Sequence, residues 1–186
     1  YLAQSKEEEH IIRQKVSLHC SEGGEDMVGL SLTKTALLLA VTIVIQMAGF
    51  PQPITGPLVN MMLFISTLAV GMTSSVIIGT LTPIIAFLRG ILAPPLAPAI
   101  PFIALSNAVL VVVFGILYQR NRLLAILAAA LCKYLLLATA VRFLIEVPAP
   151  VAIALQTPQL ITALLGGGLA WLFHQPLVRA QVINEE

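Results

Sequence analysis

Beyond residue 28 the chain alternates between long apolar runs and short polar or proline-rich breaks. Six runs, residues 30–50, 58–72, 74–88, 100–118, 123–145 and 151–173, come near the ~20 apolar residues that a helix needs to cross a bilayer. The second run is short and would borrow length from the segment before it. The third carries Pro83, which predicts a kink. The boundary between these two, GMTSS at residues 71–75, is the least sharply marked. The pattern predicts an all-α membrane protein, a six-transmembrane-helix bundle. Residues 1–28 read as a polar acidic N-terminal tail, disordered or amphipathic, residues 29–175 as the membrane domain and residues 176–186 as a C-terminal tail.

Three of the breaks differ from the others. FPQPITGPLVN (50–60), RGILAPPLAPAIP (89–101) and RFLIEVPAPVAIALQTPQ (142–159) hold ten of the twelve prolines. Proline lacks an N–H and clashes with the preceding turn, so no regular helix is expected through Pro51, Pro53 and Pro57. Irregular backbone survives at membrane depth only where protein buries it or where it lines a cavity. The three segments are therefore expected as proline-rich outer caps, gathered over a small-molecule site.

With an even number of spans both termini share a side. That side collects Lys34, Arg120, Arg122 and Arg179, whereas the cap side holds Arg89, Arg142 and Glu146. The positive-inside bias then places both termini in the cytoplasm and the caps outside, with a bacterial plasma membrane as the expected location.

Composition narrows the class. An apolar fraction of 58% with 10% charged residues does not suit a soluble globular domain. From residue 29 to 180 there are seven basic residues and one acid, Glu146, which is too little charge for binding nucleic acid. Cys20 in the polar tail and Cys132 in an apolar run are expected as free thiols. His10, His19 and Cys20 match no common zinc spacing.

An ionisable side chain inside a membrane costs at least ~2.5 kcal/mol on insertion scales, so each one needs a role. Lys133 lies eleven residues past Arg122, or roughly 16 Å along a helix, which is mid-membrane. Unless Glu146 bends inward, no acid in the membrane part can neutralise it, so it either loses its proton or waits for a ligand anion. Arg142 sits nearer the outer edge on the opposite face of the same helix, either as a snorkelling anchor or as a ligand group. Arg89 opens the second cap, where its side chain can swing over the site. Asn60 and Asn107 are deep polar groups. Gln156, Gln159 and Thr162 are expected on one helix face, and Gln52 and Thr55 lie in the first cap. Interhelical hydrogen bonding explains any one of the amides. As a set beside three caps they point to a ligand site, with Lys133 or Arg89 for a carboxylate or phosphate and the amides for the rest.

Several chemistries are missing. There is no glycine-rich nucleotide loop, no HExxH, and the one histidine of the membrane region, His174, lies at the cytoplasmic end. A single acid leaves little for acid–base catalysis or a carboxylate proton relay. The chain reads as a protein that is not an enzyme and takes no cofactor or resident metal.

One resemblance gathers these features. Six short spans, a small-residue pair Ala36 and Ala40 in TALLLAVT, and the strings PQPITGPLVN and LRGILAPPLAPAIPF resemble the S components of energy-coupling factor (ECF) transporters, over residues 30–173. The resemblance implies capture of a scarce vitamin or precursor outside the cell. It implies docking on a transmembrane T component that carries two ABC ATPases, followed by toppling in the membrane to release the load. It also implies that Ala36 and Ala40 face the T component and that the caps close over the substrate. Nickel and cobalt members use an N-terminal histidine after Met, a start this tail does not show, so metal transport is not expected. A stand-alone permease and a non-transporting membrane interaction protein are the rival readings. The substrate itself is not legible.

Overall fold

The computed structural model describes residues 29, 31–180 and 183. The acidic tail 1–28, with the amphipathic or disordered stretch expected there and Cys20, lies outside the described residues. Every regular element among them is helical: α1 (Ser31–Met47), α2 (Gln52–Leu88), α3 (Ile100–Leu117), α4 (Arg122–Thr139), α5 (Ala149–Ala154) and α6 (Thr157–Arg179). A 3₁₀ turn, Pro94–Ala99, leads into α3, and a π turn, Ala140–Leu144, closes α4. Four helical stretches are long and apolar enough to cross a membrane, and α1 is a shorter apolar helix.

Straight, the 37 residues of α2 would reach about 55 Å, far beyond a bilayer core. They do not run straight. Gly71 has φ 83° and ψ 171°, a conformation that L side chains rarely adopt. Past it, a Cβ on Gly79 would lie 3.4 Å from Leu63 Cδ2. In a continuous helix those residues would be about 24 Å apart. The two arms, residues 52–70 and 72–88, therefore fold back on each other as a hairpin, broken within the GMTSS stretch.

The prolines behave differently from the sequence expectation. A helix does run through Pro53 and Pro57: Pro51 is the N-cap, Pro53 sits in the first turn and Pro57 lies inside α2. First-turn N–H groups have no intrahelical acceptor, so Pro53 forfeits nothing there. Pro57 sacrifices only a bond to the carbonyl of Pro53, an exposed residue at the helix start. The second and third proline segments also become short helical pieces and helix starts. The last apolar run is not one helix. It breaks after α5 at Leu155 and Gln156, whose φ −106° and ψ −113° are non-helical, and restarts as α6.

Without a water-driven hydrophobic force between lipid-embedded helices, close packing holds such a bundle together. Small residues make that possible. Ala125, Ala129 and Ala130 of α4 are fully buried in a core with Leu63, Phe64, Ile78 and Leu110. Gly166 of α6 lies so close to α2 that a Cβ would meet Asn60 Cβ and the Pro57 carbonyl at 2.7 Å each. Gly167 makes the same kind of approach to Ile126. Near one end, Phe64 meets Phe114 edge to face and Phe114 meets Tyr118 at a tilt, with centroids 4.6 and 5.1 Å apart, and the Arg122 guanidinium lies 5.3 Å from the centre of the Tyr118 ring. The helix ends on the other side enclose a cavity.

Candidate binding cavity

A cavity of about 550 Å³ lies between the last turn of α1, both arms of α2, the segment before α3, and α3, α4 and α6. That is within the range of small-molecule sites. Its walls are mostly apolar, with Phe50, Val59, Pro83, Leu92, Ile103 and Leu155 among them.

It is lined by Lys133 of α4, which is only 3% exposed. Its ammonium donates to Asn60 Oδ1 and to Asn107 Oδ1, both at 2.7 Å. An ammonium has three N–H groups, so one remains without a protein acceptor among the described residues. The two asparagines are themselves oriented. Asn107 Nδ2 donates to the backbone carbonyl of Gly79 at 2.9 Å, and Asn60 Nδ2 makes a long 3.4 Å contact to Thr162 Oγ1. Thr162 in turn donates to the Gln159 carbonyl at 3.1 Å.

The Gly79 carbonyl is free for this because of sequence. Four residues on, where a helix would supply an N–H, stands Pro83. The proline that was expected to kink the span thus releases an acceptor to the site.

Among the described residues no carboxylate meets Lys133. Glu146, the one acid among the described residues, is exposed. As an ammonium, this side chain would be solvated by the two amide oxygens but not neutralised by them.

Of the residues singled out from sequence, Gln52, Thr55, Asn60, Asn107, Lys133 and Gln159 line this one cavity. Arg89, Arg142 and Gln156 do not. Arg89 is the exposed C-cap of α2, and Arg142 is exposed in the π turn after α4. Gln156 falls outside α6, so it does not share a face with Gln159 and Thr162. Ala36 and Ala40 are exposed on α1.

Sequence reasoning passed over Gln46. It lies in the last turn of α1 and lines the cavity, and its Oε1 is buried without a hydrogen-bond donor. Leaving such an acceptor unpaired costs roughly 1–3 kcal/mol. The available signal was its spacing of four from Thr42, which is fully buried.

The described residues contain no group of three His, Cys, Asp or Glu side chains able to hold a metal ion. The sequence matches the family described as ECF transporter, substrate-specific component, over residues 30–178. No curated protein and no solved structure matches the chain. The family match runs through all six helices and every wall of the cavity, and the chain belongs to the substrate-specific components of ECF transporters, a family of membrane transport subunits.

Proposed function

We propose that this protein is the capture subunit of an ECF-type ABC importer, taking a small water-soluble anion into the cavity above Lys133. The observation that carries the reading is the Lys133 side chain, buried, hydrogen-bonded among the described residues to the neutral oxygens of Asn60 and Asn107, and bordering a ligand-sized cavity. A carboxylate or phosphate would take the remaining N–H and neutralise the site, a charge-assisted bond about twice as strong as a neutral one. Gln52, Thr55 and Gln159 would bond the rest of the ligand. Arg89 and Arg142, both exposed, suit anchoring at the membrane boundary better than ligand contact.

In this reading α2 crosses the bilayer twice, giving six crossings with α1, α3, α4 and α6. Both termini are cytoplasmic, and the proline-rich segments form the outer rim of the cavity. The exposed face of α1 with Ala36 and Ala40 meets a T component bound to two ATPases, and the load is a vitamin or precursor. The membrane is a bacterial plasma membrane.

Mass spectrometry of whatever small molecule is released on denaturing the purified protein tests this. A stoichiometric organic anion is expected, and Lys133→Ala should lose it by at least a hundredfold in affinity, as for a buried charge partner worth about 3 kcal/mol. Equal ligand content in wild type and Lys133→Ala would sink the reading.

A further inference from the structure

At the end of the bundle remote from the cavity, the first arm of α2 and helices α3, α4 and α6 border a small crevice. Leu68, Phe114 and Ile126 make it apolar within, and Arg122 and Trp171 line it as exposed side chains. The Arg122 guanidinium is 5.3 Å from the centre of the Tyr118 ring, a cation–π contact that steadies the charge without neutralising it. Glu146, the one acid among the described residues, lies beyond the far end of the span Arg122–Leu144, about 33 Å away along the helix. The neighbours of Arg122 at this end are cations. Arg120 precedes α4, and Arg179 closes α6. Helix α1 reaches the cavity at Gln46, so Lys34 in its first turn is also at the remote end.

Depth adds to charge. In the membrane arrangement proposed above, Arg122 is eleven residues, or roughly 16 Å, from Lys133 at mid-span. That is about half of a ~30 Å hydrocarbon core, the level at which lipid phosphates begin. Trp171 is a side chain suited to the same boundary. From there toward mid-membrane α4 exposes Leu123, Leu127 and Leu131, and α6 exposes Leu165. A cation at the boundary above an apolar surface matches a phospholipid in charge and outline. We propose that the crevice is a binding site for an anionic phospholipid, with its phosphate on Arg122 and an acyl chain along Trp171 and the seam between α4 and α6. An Arg fork takes two phosphate oxygens at once. The proposal rests on the membrane arrangement and is independent of what the cavity captures. The lipid also braces the bundle. Ile126 at the crevice packs on Gly167, and the adjacent Gly166 packs on Pro57 and Asn60 of α2.

The test titrates the purified full chain in detergent with phosphatidylglycerol and with phosphatidylcholine of the same acyl chains, read by native mass spectrometry and melting curves. Wild type should bind phosphatidylglycerol at least about fivefold more tightly and melt higher with it. In Arg122→Gln that ratio should fall to within about twofold. Arg179→Gln removes a cation at the same end but off the crevice, and should keep the preference. Equal binding of the two lipids by wild type overturns the site. A preference that survives in Arg122→Gln, or one lost equally in Arg179→Gln, shows diffuse charge attraction and overturns it too. Glycerol phosphate, a headgroup without chains, should not displace the lipid at equal concentration. Displacement would mean a soluble phosphate site and overturn the phospholipid. Should Arg122→Gln fail to fold, the wild-type ratio and Arg179→Gln still support or overturn the proposal.

Discussion

An asparagine amide is rigid, so fixing its NH₂ also fixes where its oxygen points. Asn107 is fixed in this way by the Gly79 carbonyl, which is available because Pro83 has no N–H to offer it. The chain of cause runs from a proline, through a backbone oxygen and a side-chain amide, to the Lys133 ammonium. Pro83→Ala would return an N–H to the helix. That N–H would compete for the Gly79 carbonyl and loosen Asn107, which would then hold Lys133 less firmly. We expect thermal stability to hold or rise while ligand affinity falls about tenfold, the effect of one hydrogen bond to a charged group. Calorimetric titration beside a melting curve separates the two effects. Unchanged affinity in the variant would show that Asn107 needs no such anchor.

At the scale of elements, glycine decides which helices may touch. An alanine methyl at 166 would lie 2.7 Å from the Pro57 carbonyl and 2.8 Å from the Met61 nitrogen. Both are backbone atoms and cannot rotate away, so α2 and α6 would have to separate. Overpacking of this kind costs typically 1–3 kcal/mol. Gly168, two residues along α6, has no atom within 4 Å of a built Cβ. Gly168→Ala should instead be neutral or stabilise by up to about 1 kcal/mol through helix propensity. Unfolding both variants in the same detergent gives the contrast directly. Gly166→Ala should also displace Asn60, whose Cβ stands 2.7 Å from the added methyl, and so weaken the ligand site.

Much of this architecture was legible in the sequence because it depends on local pattern. Apolar run lengths placed the helices, whereas Pro83 announced a kink and gave no sign of the carbonyl it frees. Lys133, Asn60 and Asn107 stood out as polar groups where lipid tolerates none without a reason. What remained hidden depends on context. Pro57 reads as a helix breaker, and only its place near a helix start makes it acceptable. Gln156 and Gln159 have helical spacing, and nothing local announces the break between them. Gln46 has the same look as any polar residue within an apolar run. Its missing donor appears only in the folded structure.

For the molecule as a whole, the hairpin at Gly71 has a broad effect. It brings residues 52–60 and 83–86 to one end of the bundle, so a single long helix supplies two walls of the cavity. The described part of the chain is cationic, with one acid that stands exposed, and its deepest charge is Lys133. In the membrane arrangement proposed above, Lys133 falls midway along the span 122–144 made by α4 and its π turn, and that depth has an electrical meaning. An anion travelling from either face to the middle of the bilayer crosses about half of the transmembrane voltage. At ~2.3 kcal/mol per charge per 100 mV, that is about 1 kcal/mol, or roughly a sixfold change in affinity. With the interior negative, a monovalent anion entering from outside climbs this gradient and binds more weakly as the potential grows. One entering from the cytoplasm descends it and binds more tightly. Titrating the protein in liposomes under a potassium diffusion potential would therefore report, through the sign of a voltage effect, which face of the membrane the cavity serves.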